Sequence, residues 1–207
     1  MKNVMLLVGA GQIGIAIARR MGAGMKIIAG DKKIENACAV AKTMNEAGFD
    51  VTPAATDLSD RESVKALIAE GRKYGDIKML VNAAGVSPSQ APVETILKVD
   101  LYGTAVLLEE VGKVIAEGGV GVTISSQSGW RMPALTAEQD ELLAAAPTQE
   151  LLSRIFTARK YSGHPSCLSN GQAMQRKTGH GSGGGVGQEG SALKLHCARH
   201  YRHAACA

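Results

Sequence analysis

One stretch near the amino terminus narrows the fold more than any other. From Val4 the chain runs Val-Met-Leu-Leu-Val, then Gly9-Ala10-Gly11-Gln12-Ile13-Gly14, then Ile-Ala-Ile-Ala-Arg-Arg. A short apolar run, a glycine-rich turn and an apolar helical pattern predict strand, turn and helix in succession. In that setting each glycine of G-x-G-x-x-G has a mechanical reason. Gly9 permits the tight turn, Gly11 leaves backbone bare for a pyrophosphate, and Gly14 lets helix and strand approach closely. The helix amino end offers free N–H groups and a partial positive charge to an anion. The same spacing is also met in plain glycine turns.

The pattern then repeats. A second strand, Lys26 to Ala29, ends at Gly30-Asp31, and Asp31 lies 22 residues after Gly9. An acid at about this distance accepts hydrogen bonds from an adenosine ribose and repels the 2′-phosphate of NADP. Asp31 therefore favours NAD, although Lys32 and Lys33 would pair with that phosphate if NADP were bound. Asp31 would otherwise cap the helix that starts near Ile34. That helix carries Ala37, Val40, Ala41 and Met44 on one face and ends at Gly48. A third strand, Asp50 to Thr56, leads to Asp57-Leu58. Ser59-Asp60-Arg61-Glu62 reads as a capping box, Ser59 accepting from the Glu62 amide, for a helix running to about Tyr74. A fourth strand, Met79 to Asn82, flows into Ala83-Ala84-Gly85. A long helix from about Val93 to Glu117 is broken by Gly118-Gly119, and Gly121 to Ser125 forms a fifth strand.

Alternating strands and helices imply right-handed crossovers and a doubly wound parallel sheet of the Rossmann type, an α/β fold. Ligands of such sheets bind outside the carboxyl ends of the strands. The Gly9–Gly14 turn, Asp31, Asp57, Asn82–Gly85 and Ser125–Ser128 all fall there.

These motifs together resemble the short-chain dehydrogenase/reductase family over about residues 3–130. The resemblance rests on the glycine turn, Asp31, Asp57-Leu58, Asn82-Ala83-Ala84-Gly85 and Ile124-Ser125-Ser126-Gln127-Ser128-Gly129. It implies an oxidoreductase that transfers hydride between the nicotinamide of NAD, or NADP, and a small-molecule carbonyl or alcohol. It implies that Gly9, Gly11, Gln12, Ile13 and Gly14 hold the pyrophosphate. Asp31 and Lys32 would stand at the ribose, Asp57 and Leu58 at the adenine, and Asn82, Ala83, Ala84 and Gly85 along the cofactor. Ser126 would be the catalytic residue that bonds the substrate oxygen; otherwise it satisfies its own turn.

Three departures stand out. The glycine turn is shorter than in many members. Asp100 occupies the place of an asparagine that holds a relay water in the family. The family's acid/base tyrosine, followed four residues later by a lysine, has no match after Ser126, because Tyr161 is followed by Pro165 and Tyr201 by Ala205 at that distance.

Composition explains the last departure. The chain has 207 residues and a net charge of +4, but residues 154–207 alone carry eight Lys/Arg and one acid, Glu189. That stretch also holds all five histidines, nine glycines and only five Val, Ile or Leu. It is too poor in apolar residues to build a core, so disorder is expected. The chain therefore divides into a dinucleotide-binding domain, 1–129, a helical insertion near the site, 130–153, with a cap at Thr136, and a tail, 154–207. Plausible codons for His164 to Gln175, read one base on, spell Y-x-x-x-K. The same shift over Glu189 to the end yields a strand followed by Pro-Gly, as in the family. The tail thus reads as translated out of frame from near Leu152–Ile155, leaving the sheet incomplete on its carboxyl side and turnover impaired.

Other classes fit less well. His196, Cys197, His200, His203 and Cys206 have metal-ligand spacing, but accidental clustering in a shifted frame accounts for them, and no metal site is assigned. The basic tail lacks the interleaved aromatic residues of nucleic-acid binders, so no nucleic-acid partner is expected. No apolar run reaches the ~20 residues needed to span a bilayer, no membrane partner is expected, and the four cysteines suggest a reducing, cytoplasmic setting. Family members form homo-oligomers, an assembly doubtful without the missing helix. A non-catalytic dinucleotide-binding protein and an S-adenosylmethionine-dependent methyltransferase are the alternative readings.

Overall fold

The computed structural model describes residues 2–126, 136–137, 143 and 145–157. Five parallel strands form its centre: β1 (Lys2–Val8), β2 (Lys26–Asp31), β3 (Asp50–Ala55), β4 (Gly75–Asn82) and β5 (Val120–Thr123). Their order is β3-β2-β1-β4-β5. The chain winds outward from β1 to β3, then returns to the other side of β1 for β4 and β5. The reversal between β1 and β4 leaves a crevice at their carboxyl ends.

Strand periodicity explains the layers. Along β1, Val4, Leu6 and Val8 face one way and Met5 and Leu7 the other, all buried. The first set packs with Val64, Leu67 and Ile68 of α3 (Arg61–Arg72) and with Val106, Leu107 and Val111 of α5 (Thr104–Gly112). The second packs with Ala18 of α1 (Gln12–Met21) and Val40, Ala41 and Met44 of α2 (Ile34–Glu46). With both faces covered, near-continuous apolar strands are what a parallel sheet requires.

Four expectations shift in detail. The fourth strand starts at Gly75 rather than Met79, because its first residues pair with Lys2, Asn3 and Val4 before a register shift at Val4/Met5. The fifth is shorter and earlier, Val120–Thr123. The cap of α3 is Asp60, whose carboxylate accepts from the Glu62 N–H at 3.0 Å. Ser59 instead donates its hydroxyl to Asp57 at 2.6 Å, because that stronger acceptor is in reach. The long helix ends at Gly112 and is not uniform: α4 (Val93–Ile96) passes into π-turns over Leu97–Gly103 before α5.

A 3-10 turn, Thr148–Glu150, leads into α6 (Leu151–Thr157). Leu143 and Leu151 are buried against Leu97, Leu101 and Ala105 of the long helical rod. The proposed insertion therefore packs on the element that carries Asp100, although 130–135, 138–142 and 144 lie outside the described residues.

Candidate functional site

The glycine turn follows β1 and opens α1. Gly9 has φ +93°, and a Cβ there would meet the Ala84 backbone nitrogen at 2.5 Å. At Gly14 a Cβ would meet the Gly9 carbonyl oxygen at 2.4 Å. Both are demanded by the fold. At Gly11 a Cβ would meet nothing within 4 Å, so packing does not require glycine there. Gly11 is the residue before α1, and no side chain caps the helix. Its first N–H groups therefore keep their hydrogen-bonding capacity for an anion. Gln12 and Ile13 stand exposed beside them, Ile13 at 57%.

Asp31 ends β2 and clasps this turn. One carboxylate oxygen accepts from the Ala10 N–H at 3.0 Å. The other accepts from the Lys33 N–H at 2.9 Å and the Asn36 amide at 3.2 Å. Asp31 therefore does not cap α2, whose cap position is Lys33 with no side-chain cap bond; it braces the turn before that helix and keeps its carboxylate next to the glycine turn. Lys32 pairs with Asp57 at 2.8 Å. Asp57 also accepts from the Ser59 N–H and hydroxyl. Burial opposes its ionisation, but Lys32 and Ser59 together outweigh that and hold the carboxyl below the usual range. Leu58 is only 4% exposed and belongs to the core with Val64 and Val106, so its side chain is not offered to an adenine.

On the other side of β1, Asn82 is fully buried at the end of β4. Its amide donates to the Thr104 hydroxyl at 3.3 Å, and its oxygen accepts from the Ala84 N–H at 3.3 Å. Asn82 therefore shapes the turn from behind rather than facing a ligand. Ala83, Ala84 and Gly85, with Val86, Ser87 and Gln90, form one wall of an open pocket of about 240 Å³. Ile124, Ser125 and Ser126, just beyond β5, form another, and Asp100 reaches it from the π-turns. Since all five strands are parallel, every one of these residues lies at one edge of the sheet. Gln127 to Gly129 lie outside the described residues.

Asp100 is 5% exposed. Its carboxylate accepts from the Val86 N–H at 3.0 Å. Burial pushes its carboxyl up to about 6, with the Val86 bond pulling the other way. The departure from asparagine thus places an ionisable group in the pocket. Val86, Ser87 and Gln90 were not foreseen; the Pro88 turn after Gly85 was the available signal.

One Tyr-x-x-x-Lys spacing does occur, Tyr74 to Lys78, but the structure puts it at the other end of the sheet. The Tyr74 ring lies under the Lys26 ammonium at 4.5 Å, and Lys78 donates to the Glu117 carbonyl at 2.6 Å. The histidine–cysteine cluster of the tail lies outside the described residues, among which no group of metal-ligating side chains gathers. No described helix is long and apolar enough to cross a membrane.

Residues 3–137 match the family described as short chain dehydrogenase. A short-chain dehydrogenase/reductase of Alternaria brassicicola is 36% identical over 131 residues, covering 63% of this chain and 48% of that protein. A 3beta-hydroxysteroid dehydrogenase of Mediterraneibacter gnavus is 32% identical over 142 residues, covering 63% of this chain and 51% of the relative. The chain thus spans about half the length of the curated relatives it matches. Among solved structures, a short chain dehydrogenase of Burkholderia cenocepacia in complex with NADP superposes with a TM-score of 0.70 at 20% identity. That match covers 93% of this chain and 72% of the other.

Proposed function

Because the chain belongs to the short-chain dehydrogenase/reductase family of oxidoreductases, we propose that the crevice binds a nicotinamide dinucleotide, NAD ahead of NADP. The observation that carries this is Gly11. It is the one glycine of the turn that packing leaves unexplained, and a Cβ there would enter the space before the uncapped end of α1. The residues fit the group. Gly11 to Gly14 would hold the pyrophosphate and Asp31 the adenosine ribose. Asp57 would stand at the adenine edge, and the 83–86 turn would flank the nicotinamide half. NAD is favoured because Asp31 would set a carboxylate at the ribose and Lys32 is paired with Asp57, so a 2′-phosphate would have to compete for it.

A bound nicotinamide supplies or takes up a hydride at its C4 position. Ser126, at the pocket wall, would bond a carbonyl or alcohol oxygen and orient it. The group that should exchange the proton has no counterpart: no Tyr-x-x-x-Lys follows Ser126. We therefore assign the chain dinucleotide binding with impaired turnover, and residues 154–207 to a shifted reading frame.

The test has two arms. Titration of the full chain with NADH, followed by calorimetry, should show binding; absence of heat with NADH and NADPH refutes the site. Turnover against a carbonyl panel should be near background, and should rise at least a hundredfold once the gene is resequenced and the frame restored, the scale that a positioned acid/base contributes. A single intact frame through codons 154–207 refutes the frameshift.

A further inference from the structure

The loop after β4 holds a side chain whose orientation its own hydrogen bonds settle. Gln90 lines the pocket beside Ser87. Its Oε1 accepts from the Ser87 N–H at 2.9 Å and from the Ser87 hydroxyl at 2.9 Å. A backbone N–H can only donate, so the amide atom facing Ser87 is the oxygen and not the nitrogen. Both acceptor positions of that oxygen are then in use. The Ser87 hydroxyl spends its proton on Gln90, so Ser89, 2.8 Å away, donates to it in turn. Backbone bonds close the loop from inside, the Gln90 and Ala91 N–H groups donating to the Ser87 carbonyl at 2.9 and 3.1 Å. Pro88 and Pro92 fix φ within and just after it. Gln90 is left with its Nε2, whose two N–H donors have no partner among the described residues. An amide already held in place loses little freedom when it bonds a ligand.

Resting on the dinucleotide reading, we propose that Gln90 is a specificity-determining residue of the pocket. Its amide N–H groups hold a second, neutral acceptor oxygen of the substrate, while Ser126 on another wall takes the reacting oxygen. The substrate class is a small ketone or aldehyde that carries a further carbonyl, hydroxyl or ether oxygen. The described lining supplies these donors and no basic side chain, which suits a neutral oxygen rather than a carboxylate. A site arranged to donate a hydrogen bond selects against the analogue that lacks the acceptor. Gln90 is exposed, so water competes, and the selection is that of one ordinary hydrogen bond, roughly three- to tenfold.

The proposal is measurable without turnover. The full chain is saturated with NADH and titrated with cyclohexanone and with tetrahydropyran-4-one, followed by ligand-observed NMR. The two ketones differ by a ring oxygen in place of a methylene. Gln90→Glu keeps an oxygen for both Ser87 donors and removes the two N–H groups, so the loop is retained while the recognition is lost. The preference for tetrahydropyran-4-one should be roughly three- to tenfold greater in the unmodified chain than in this variant, with the urea midpoint unchanged. In the unmodified chain, the side-chain amide resonances of Gln90 should move with tetrahydropyran-4-one and stay in place with cyclohexanone.

An equal preference in the two chains overturns this inference and leaves the dinucleotide site standing. So does failure of both ketones to bind the NADH-loaded chain. If Gln90→Glu does not fold, Gln90 amide resonances that do not respond to tetrahydropyran-4-one overturn it. Failure of NADH itself to bind refutes the dinucleotide site, and this inference falls with it.

Discussion

At the scale of single residues, three glycines of identical appearance in the sequence separate cleanly in the structure. Gly9 is held at positive φ against the Ala84 backbone. Gly9→Ala should therefore cost more than about 2 kcal/mol, read as a lower midpoint in urea. Gly11→Ala should leave stability within about 0.5 kcal/mol yet weaken NADH binding at least tenfold, since its methyl group would point into open space before α1. Equal loss of stability in both variants would mean that Gly11 serves the fold. Asp100 belongs to the same scale. Its carboxyl titrates near 6 when folded, above the ordinary 3.8, so the folded chain holds the proton more tightly than the unfolded one. Stability should therefore fall as pH rises between those values, and the penalty is complete above the folded midpoint. Asp100→Asn keeps an oxygen for the Val86 N–H without that penalty. It should raise stability by up to about 3 kcal/mol at pH 8 and change little at pH 3.5, as thermal unfolding at the two pH values would show.

Elements meet through charge as well as apolar packing. Arg61, in the first turn of α3, forks onto Glu109 of α5 with contacts of 3.0 and 2.9 Å and also bonds Glu110. Lys113 reaches both acids at 3.0 Å. The Arg61 bond, outweighing burial and helped by Lys113, brings the Glu109 carboxyl down to about 2. A depressed acid stabilises the fold fully above its ordinary value, 4.5, and loses that contribution as pH falls toward 2. Glu109→Gln should therefore show a shallower drop in melting temperature between pH 4.5 and 2 than the unmodified chain. At the same end of α3, Asp60 caps the helix, and Asp60→Ala should cost about 1 kcal/mol. Ser59→Ala should not remove the cap, because the Ser59 hydroxyl serves Asp57. The sequence signal for a cap was sound to within one residue; two adjacent polar side chains divided the available partners in a way that spacing alone does not rank.

For the molecule as a whole, the chain beyond β5 is part of the folded body as far as it is described. Leu143 and Leu151 cover Leu97 and Leu101 on the rod that also presents Asp100. Leu151→Ala should lower stability by roughly 2–4 kcal/mol. If no loss is measured in denaturant, α6 is not docked in solution. The sheet has β3 and β5 at its outer positions among the described residues. β3 carries Pro53, which suits an edge. β5 has only four residues, with Val120 44% exposed. Restoring the reading frame should therefore raise solubility as well as turnover, if the restored residues continue the sheet beyond β5.

The amino-acid sequence by itself determined the alternation of strands and helices, the glycine turn, the acid that closes the second strand and the one that follows the third. These follow from contacts between residues near in the chain: apolar spacing, turn chemistry, a carboxylate two residues from the amide it accepts. It also showed that no tyrosine and lysine of the required spacing follow Ser126. Only the tertiary structure decided that, of the turn's three glycines, Gly11 alone borders open space, that Lys32 is bound to Asp57, that Leu58 is core, and that Asp100 is buried beside the pocket. Those depend on residues brought together from distant parts of the chain. Desolvation in particular is a property of everything packed around a group, and no local pattern of residues encodes it.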